Sequence, residues 1–211
     1  MGDWLRSHPD ALVIDVGSAY GLYSVAALFV SDRVGVVAID PDLASLKGAQ
    51  RLCRYASGRR LRVVHGFAAD KHQSGMDLSA ATAETERRLA ASGVSGDPET
   101  TGYILIDKNS DTTIPTHSLD GLLAHEPHDR PLLIKMDVEG AELLVLQGAR
   151  SILKESAPAL LISVHRNCLA VFHQSVEDVR DFLSGLGYGI QVLAVDHEEH
   201  WWCRKGELKN S

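Results

Sequence analysis

Each of five apolar runs in this chain closes on a side chain that can accept or carry a proton. They are Asp15, Asp40, Asp70 just past the third run, Asp137 and His165. The first run, ALVIDVGSAYGLYS, turns through D-x-G-x-x-x-G, made by Asp15, Gly17 and Gly21. Gly17 permits a sharp turn and a close approach of a ligand to the backbone, and Gly21 lets a helix start close to the strand. A pyrophosphate loop needs a third glycine and an uncluttered helix N-terminus. Here Asp15 stands at the entrance, where it repels an anion and welcomes a cation. A nucleoside bearing a sulfonium, S-adenosylmethionine, suits such a loop better than NAD. Ser18 and Tyr20, inside the turn, join Asp15, Gly17 and Gly21 as candidate cofactor contacts. The competing reading is a tight turn with Asp15 as a helix cap.

Asp40 ends the second run, where nucleotide-binding α/β folds place an acid for the ribose hydroxyls. Two carboxylate oxygens match two vicinal donors; the alternative is a cap for the helix that begins at Pro41. Ala69 and Asp70 follow the third run, and Asp70 offers an acceptor for an adenine amine. In PLLIKMDVEGAELLVLQGA, Lys135 interrupts an apolar strand, and a buried lysine is costly unless an acid lies beside it. Asp137 shares its face by the period of two. Glu139 and Glu142 fall in the first turn of the next helix, where the helix dipole favours negative charge, and this alone accounts for Glu142. His165 ends PALLISVH at the same rim. The HEEH at 197–200 is not a zinc-protease pattern and reads as a polar turn.

These residues need elements that bring them to one edge. ALVIDVG, VGVVAID, LRVVHGFAA, PLLIKMDV and PALLISVH are nearly continuous apolar runs, as in strands buried on both faces. Between them lie helices over Tyr20–Val30, PDLASLKGAQRLCRYA, HSLDGLL and AELLVLQGARSILKES, with SVEDVRDFLSGLGY after the fifth strand. GIQVLAVD and HWWCRK, joined by a short turn, form an antiparallel hairpin. The alternation predicts a single α/β domain over 1–211, a doubly wound, mostly parallel seven-stranded sheet with an antiparallel C-terminal strand. Ligands of such sheets bind outside the carboxyl ends of the strands. The segment 70–113 breaks the alternation. It carries a polar helix (SAATAETERRLAASG), a Gly/Pro turn and a short strand (YILID), and reads either as a substrate-side lid or as a surface excursion.

Composition narrows the class. The 211 residues carry a net charge of −7, which argues against a general nucleic-acid binder. No apolar run spans a bilayer and the N-terminus has no secretory h-region, so a cytoplasmic protein is expected. Three cysteines without C-x-x-C spacing read as reduced thiols.

The set DVGSAYGLYS, VVAIDPD, HSLDGLL, IKMDVEGAELLVLQGARSIL and PALLISVH, in this order, resembles the FkbM family of S-adenosylmethionine-dependent methyltransferases. The glycine loop alone is shared with all class I methyltransferases; K-M-D-V-E-G-A-E followed by L-Q-G-A is the specific part. Two departures stand out. Ser18-Ala19-Tyr20 replaces the family's small residue and asparagine, and Asp40-Pro41 stands where Glu-Pro is common. Family members often carry more sequence before the first strand. The acceptor pocket here would then be completed by segment 70–113 or by a partner subunit, as in a homodimer.

The resemblance implies methyl transfer to a hydroxyl of a sugar, a glycan or a secondary metabolite. Asp137 and His165 are the expected catalytic pair, with Lys135 and Glu139 in support. Asp137 and Glu139 suit a Mg²⁺ ion, but no third carboxylate is evident nearby in sequence, and the reading without a metal is preferred. An NAD-dependent oxidoreductase would need the third glycine, and a non-catalytic nucleotide-binding module would not need every rim acid.

Overall fold

Consecutive apolar residues in LVIDV and VVAI are explained once both faces of their strands are covered. The computed structural model describes residues 1–57, 60–77, 87, 113–126 and 130–206. Its strands are β1 (Leu12–Val16), β2 (Gly35–Asp40), β3 (Leu61–His65), β4 (Phe67–Ala68), β5 (Gln73–Asp77), β6 (Thr113–His117), β7 (Leu132–Met136), β8 (Ala159–Val164), β9 (Tyr188–Val195) and β10 (Glu199–Lys205). Seven of them form one sheet in the order β3-β2-β1-β7-β8-β10-β9. Strands β3 to β8 of that order pair in parallel, and β10 is antiparallel to both β8 and β9. The fold is therefore the expected Rossmann-like α/β sheet. Its antiparallel strand is slotted between β8 and β9 instead of lying at the edge.

Side chains alternate between two cores. Ile14, Val16, Ile134 and Met136 face one, with α4 (Leu119–Leu123), α5 (Glu142–Gln147), α6 (Arg150–Glu155) and α7 (Val176–Gly185). Val13, Val36 and Leu133 face the other, with α1 (Gly2–Ser7), α2 (Leu22–Val30) and α3 (Leu43–Ser57). Helix α1 was not expected; Leu5 anchors it by full burial in the second core.

Three further departures have local causes. LRVVHGFAA does not form one strand. The chain turns at Gly66, φ +151°, where a Cβ would meet the His117 ring and the Pro115 carbonyl, each at 2.6 Å. Phe67–Ala68 then joins a second sheet of order β4-β6-β5. AELLVLQGARSILKES is two helices, because Asp120 takes the Ser151 and Ile152 N–H groups at 2.9 and 3.0 Å and so caps α6. Helix α3 is capped by Asp42, which accepts from the Ala44 and Ser45 N–H groups at 2.9 and 3.1 Å. The polar helix, turn and YILID strand expected between 79 and 107 lie outside the described residues, apart from Arg87.

Candidate active site

Parallel pairing of β1 with β7 sets Asp15 opposite Lys135. Both side chains leave the sheet on the face covered by α2, and both are buried. Lys135 Nζ lies 3.3 Å from Asp15 Oδ1 and 3.8 Å from Asp137 Oδ2. It donates to the Gly17 carbonyl at 3.0 Å and sits 4.8 Å from the centroid of the Tyr23 ring. The second oxygen of Asp15 accepts from Ser24 Oγ at 2.6 Å. Asp15 is expected to face a ligand's cation; the cation beside it here is Lys135. The chain supplies the cation itself, and Asp15, 0% exposed, holds the glycine loop from behind instead of facing a ligand.

The glycines also differ from their expected parts. Gly17, φ +68°, would place a Cβ 1.8 Å from the Asp137 carbonyl oxygen, so its bare Cα admits the β7 tip. Gly21, φ +79°, would place one 2.7 Å from Ala49 Cβ, which packs α2 on α3 and not on the strand. Between them Ser18 is buried, and its Oγ has no hydrogen-bond partner among the described residues. Tyr20 is 65% exposed. Its ring lies over Gly48 of α3, where a Cβ would come within 3.0 Å of it.

Asp40 is buried at the β2 tip and takes the Ala19 N–H on Oδ2 and the Asp42 N–H on Oδ1, each at 2.8 Å. Burial raises its carboxyl above the usual range, against the pull of those two bonds. Asp42 performs the capping that was the competing reading of Asp40. Ala69 is anchored by its N–H to the His117 carbonyl at 2.9 Å. Its own carbonyl abuts Gly148, where a Cβ would come within 2.0 Å. Asp70, next to it, is exposed.

Beyond β7 and β8 a carboxylate cluster surrounds one histidine. His165 Nδ1 is 2.8 Å from Glu142 Oε1. Its Nε2 is 2.6 Å from Glu198 Oε2 and 3.4 Å from Asp137 Oδ1. Glu142 also receives the Gly140 N–H at 3.0 Å and is fully buried. Burial disfavours charge on His165, but the bond to Glu142 and the charges of Glu142, Glu198 and Asp137 outweigh it and lift the imidazole to about 8. With both ring nitrogens turned to carboxylates, His165 is suited to hold Asp137 in place. The Asp137 side chain is 36% exposed, the openest group of the cluster. Glu139 lies in the β7–α5 turn at φ +49°, before Gly140 at φ +103°, whose Cα abuts the Cys168 backbone.

Two members were not anticipated. Glu142 was assigned to the helix dipole, yet its carboxylate binds the His165 ring. Glu198 was assigned to a polar turn, yet β10 pairs Glu199 with Val164 and so returns that turn to the β8 tip. The hairpin signal pointed to antiparallel pairing; placing β10 beside β8 would have found Glu198.

A family model described as the methyltransferase FkbM domain matches residues 15–190. Among solved structures, the precorrin-6y C5,15-methyltransferase of Geobacter metallireducens is similar at 11% identity and a TM-score of 0.52, over 92% of this chain and 79% of that one. Aeropyrum pernix fibrillarin, solved with natively bound S-adenosyl-L-methionine, is similar at 12% identity and a TM-score of 0.51, over 93% of this chain and 66% of that one. At these identities the likeness is one of fold. No curated protein gives a significant match.

Proposed function

The chain belongs to the FkbM methyltransferase family, and from that premise we propose that it transfers the methyl group of S-adenosylmethionine to a hydroxyl oxygen of a small molecule or glycan. The observation that carries this reading is the single rim formed by the glycine loop, Asp40 and Asp137 at adjacent strand tips.

The loop fits the cofactor. Ser18 Oγ is buried without a partner among the described residues, and a buried hydroxyl left unpaired is costly unless a ligand completes it. Each Asp40 oxygen spends one lone pair on the backbone and keeps another for a ribose hydroxyl. Gly17, Ser18 and Tyr20 would flank the methionine part, Asp40 would hold the ribose, and Ala69 and Asp70 would border the adenine. Asp15 and Gly21 act through the loop they position. The cofactor supplies an electrophilic methyl group.

The remaining work falls to the acceptor side. Alignment of the acceptor oxygen is worth on the order of 7–11 kcal/mol. Asp137 Oδ2 takes the hydroxyl proton, a general-base contribution of typically 10²–10⁴-fold. Lys135, 3.8 Å from that oxygen and bonded to the Gly17 carbonyl, ties the carboxylate to the glycine loop. His165, clamped by Glu142 and Glu198, fixes the other Asp137 oxygen, and Glu139 shapes the strained turn beside it. We read residues 1–211 as one domain, in which the described flanks of segment 70–113 pair as β5 with β6. No helix among the described residues is long and apolar enough to cross a membrane. A small acceptor met in the cytoplasm accords with the chain's negative charge.

The test is labelled S-adenosylmethionine with a panel of sugars, glycans and polyketide alcohols, and NMR of the product. An O-methyl product, slowed about 10²–10⁴-fold by Asp137→Asn, is expected. Methylation at nitrogen or carbon only would overturn the hydroxyl assignment.

A further inference from the structure

Asp137, His165 and Glu198 each offer one ligand atom, and the three atoms lie within 4.8 Å of one another; His165 Nε2 is 3.4 Å from Asp137 Oδ1 and 2.6 Å from Glu198 Oε2. They come from three separate elements: the β7 tip, the β8 tip and the β9–β10 turn. We infer that these three atoms form a binding site for one divalent first-row cation, of the Mn²⁺ type, beside the acceptor.

Three independent features support it. First, charge does not balance. Lys135 is shared between Asp15 at 3.3 Å and Asp137 at 3.8 Å, while three carboxylates, those of Asp137, Glu142 and Glu198, crowd one imidazole in a partly enclosed site. Second, Glu198 is only 7% exposed, and among the described residues its Oε2 makes no aligned hydrogen bond although His165 Nε2 is 2.6 Å away. A buried carboxylate oxygen in that condition is costly. Third, Glu142 Oε1 engages His165 Nδ1 at 2.8 Å, the carboxylate–histidine arrangement that turns the other ring nitrogen toward a metal.

The spacing agrees. Ligands about 2.1 Å from one ion are roughly 3.0–3.4 Å from each other in octahedral or tetrahedral geometry. The Asp137–His165 distance of 3.4 Å already fits. The Glu198–His165 distance of 2.6 Å would open by a few tenths of an ångström. Two carboxylate oxygens and one imidazole suit Mn²⁺, Fe²⁺ or Zn²⁺ better than Ca²⁺, which takes six to eight oxygens. Asp196, Glu198 and His200 form an overlapping group on the same turn. The Asp196 side chain is 54% exposed, and His200 is 3.5 Å from the outer oxygen of Glu198. That group serves to hold Glu198.

The ion would lie next to Asp137 Oδ1 while Oδ2 faces Lys135, so one carboxylate serves both the cation and the proton. A divalent ion there would lower the pKa of an acceptor hydroxyl. This role rests on the methyl-transfer reading; binding of the ion does not.

The test titrates the EDTA-stripped full chain with Mn²⁺ and follows free Mn²⁺ by electron paramagnetic resonance. One Mn²⁺ per chain is expected, displaced by Zn²⁺. Asp137→Asn and Glu198→Gln should each weaken it at least tenfold, and Glu142→Gln by about 10–100-fold. Glu177→Gln, an exposed carboxylate in the first turn of the Val176–Gly185 helix, should leave it unchanged. Circular dichroism checks that each variant is folded, with Glu198→Asp as a second variant at that position. No saturable Mn²⁺ binding at millimolar ion, or binding that survives both Asp137→Asn and Glu198→Gln, would overturn the site. A chain that binds Mn²⁺ but neither S-adenosylhomocysteine nor any methylated product would instead count against the methyl-transfer reading alone.

Discussion

Lys135 and Asp15 face each other across adjacent parallel strands, 3.3 Å apart and closed off from water. Removing one member of a buried pair strands the other charge. Lys135→Met should therefore cost about 3–5 kcal/mol in urea unfolding. The double variant Asp15→Leu, Lys135→Met should recover a large part of that loss. A single variant within 1 kcal/mol of the parent would show that the pair is not what holds the loop to the sheet.

Gly17 and Gly187 separate backbone strain from close packing. Both have left-handed backbones, at φ +68° and +82°, but a Cβ meets the Asp137 carbonyl at Gly17 and, among the described residues, nothing within 4 Å at Gly187. Gly187→Ala should cost roughly 1–2 kcal/mol. Gly17→Ala should cost clearly more and displace the loop. Equal losses in thermal unfolding would show that the contact with Asp137 does not matter.

The three cysteines are buried. None should react with Ellman's reagent at pH 8 in the native protein, and all should react in denaturant; rapid native labelling would contradict this. Burial, slightly offset by Arg180, pushes the Cys203 thiol from near 9 to about 12. Burial and the Cys203 charge raise the Tyr188 phenol as well. Both folded-state values exceed the unfolded ones. Their contribution to stability is thus fully present below about pH 9 and lost as pH rises toward 12. The urea midpoint should fall between pH 9 and 11, and the fall should shrink in Cys203→Ala.

The main sheet was legible because strands buried on both faces must be apolar at every position, and LVIDV and VVAI are. The rim acids followed from where those runs stop. The second sheet was not legible: β4 has two residues, and β6 carries Pro115, which speaks against a strand. Site partners were harder for a different reason. Asp15 looked like a lure for a ligand's cation because Lys135, 120 positions away, becomes its neighbour only through strand pairing. Glu198 reaches His165 only because β10 inserts beside β8. Glu142 had an adequate local explanation in the helix dipole, which hid its bond to the His165 ring.

Calorimetry with S-adenosylhomocysteine, which binds without turnover, tests the central claim most directly. The chain should bind one equivalent, with or without EDTA. Asp40→Ala should weaken binding by about 1.5–3 kcal/mol, roughly 10- to 150-fold. Asp42→Ala, which removes only the α3 cap, should leave affinity within about threefold. No binding by the parent chain, or equal affinity in Asp40→Ala, would contradict a cofactor held at the β1 and β2 tips.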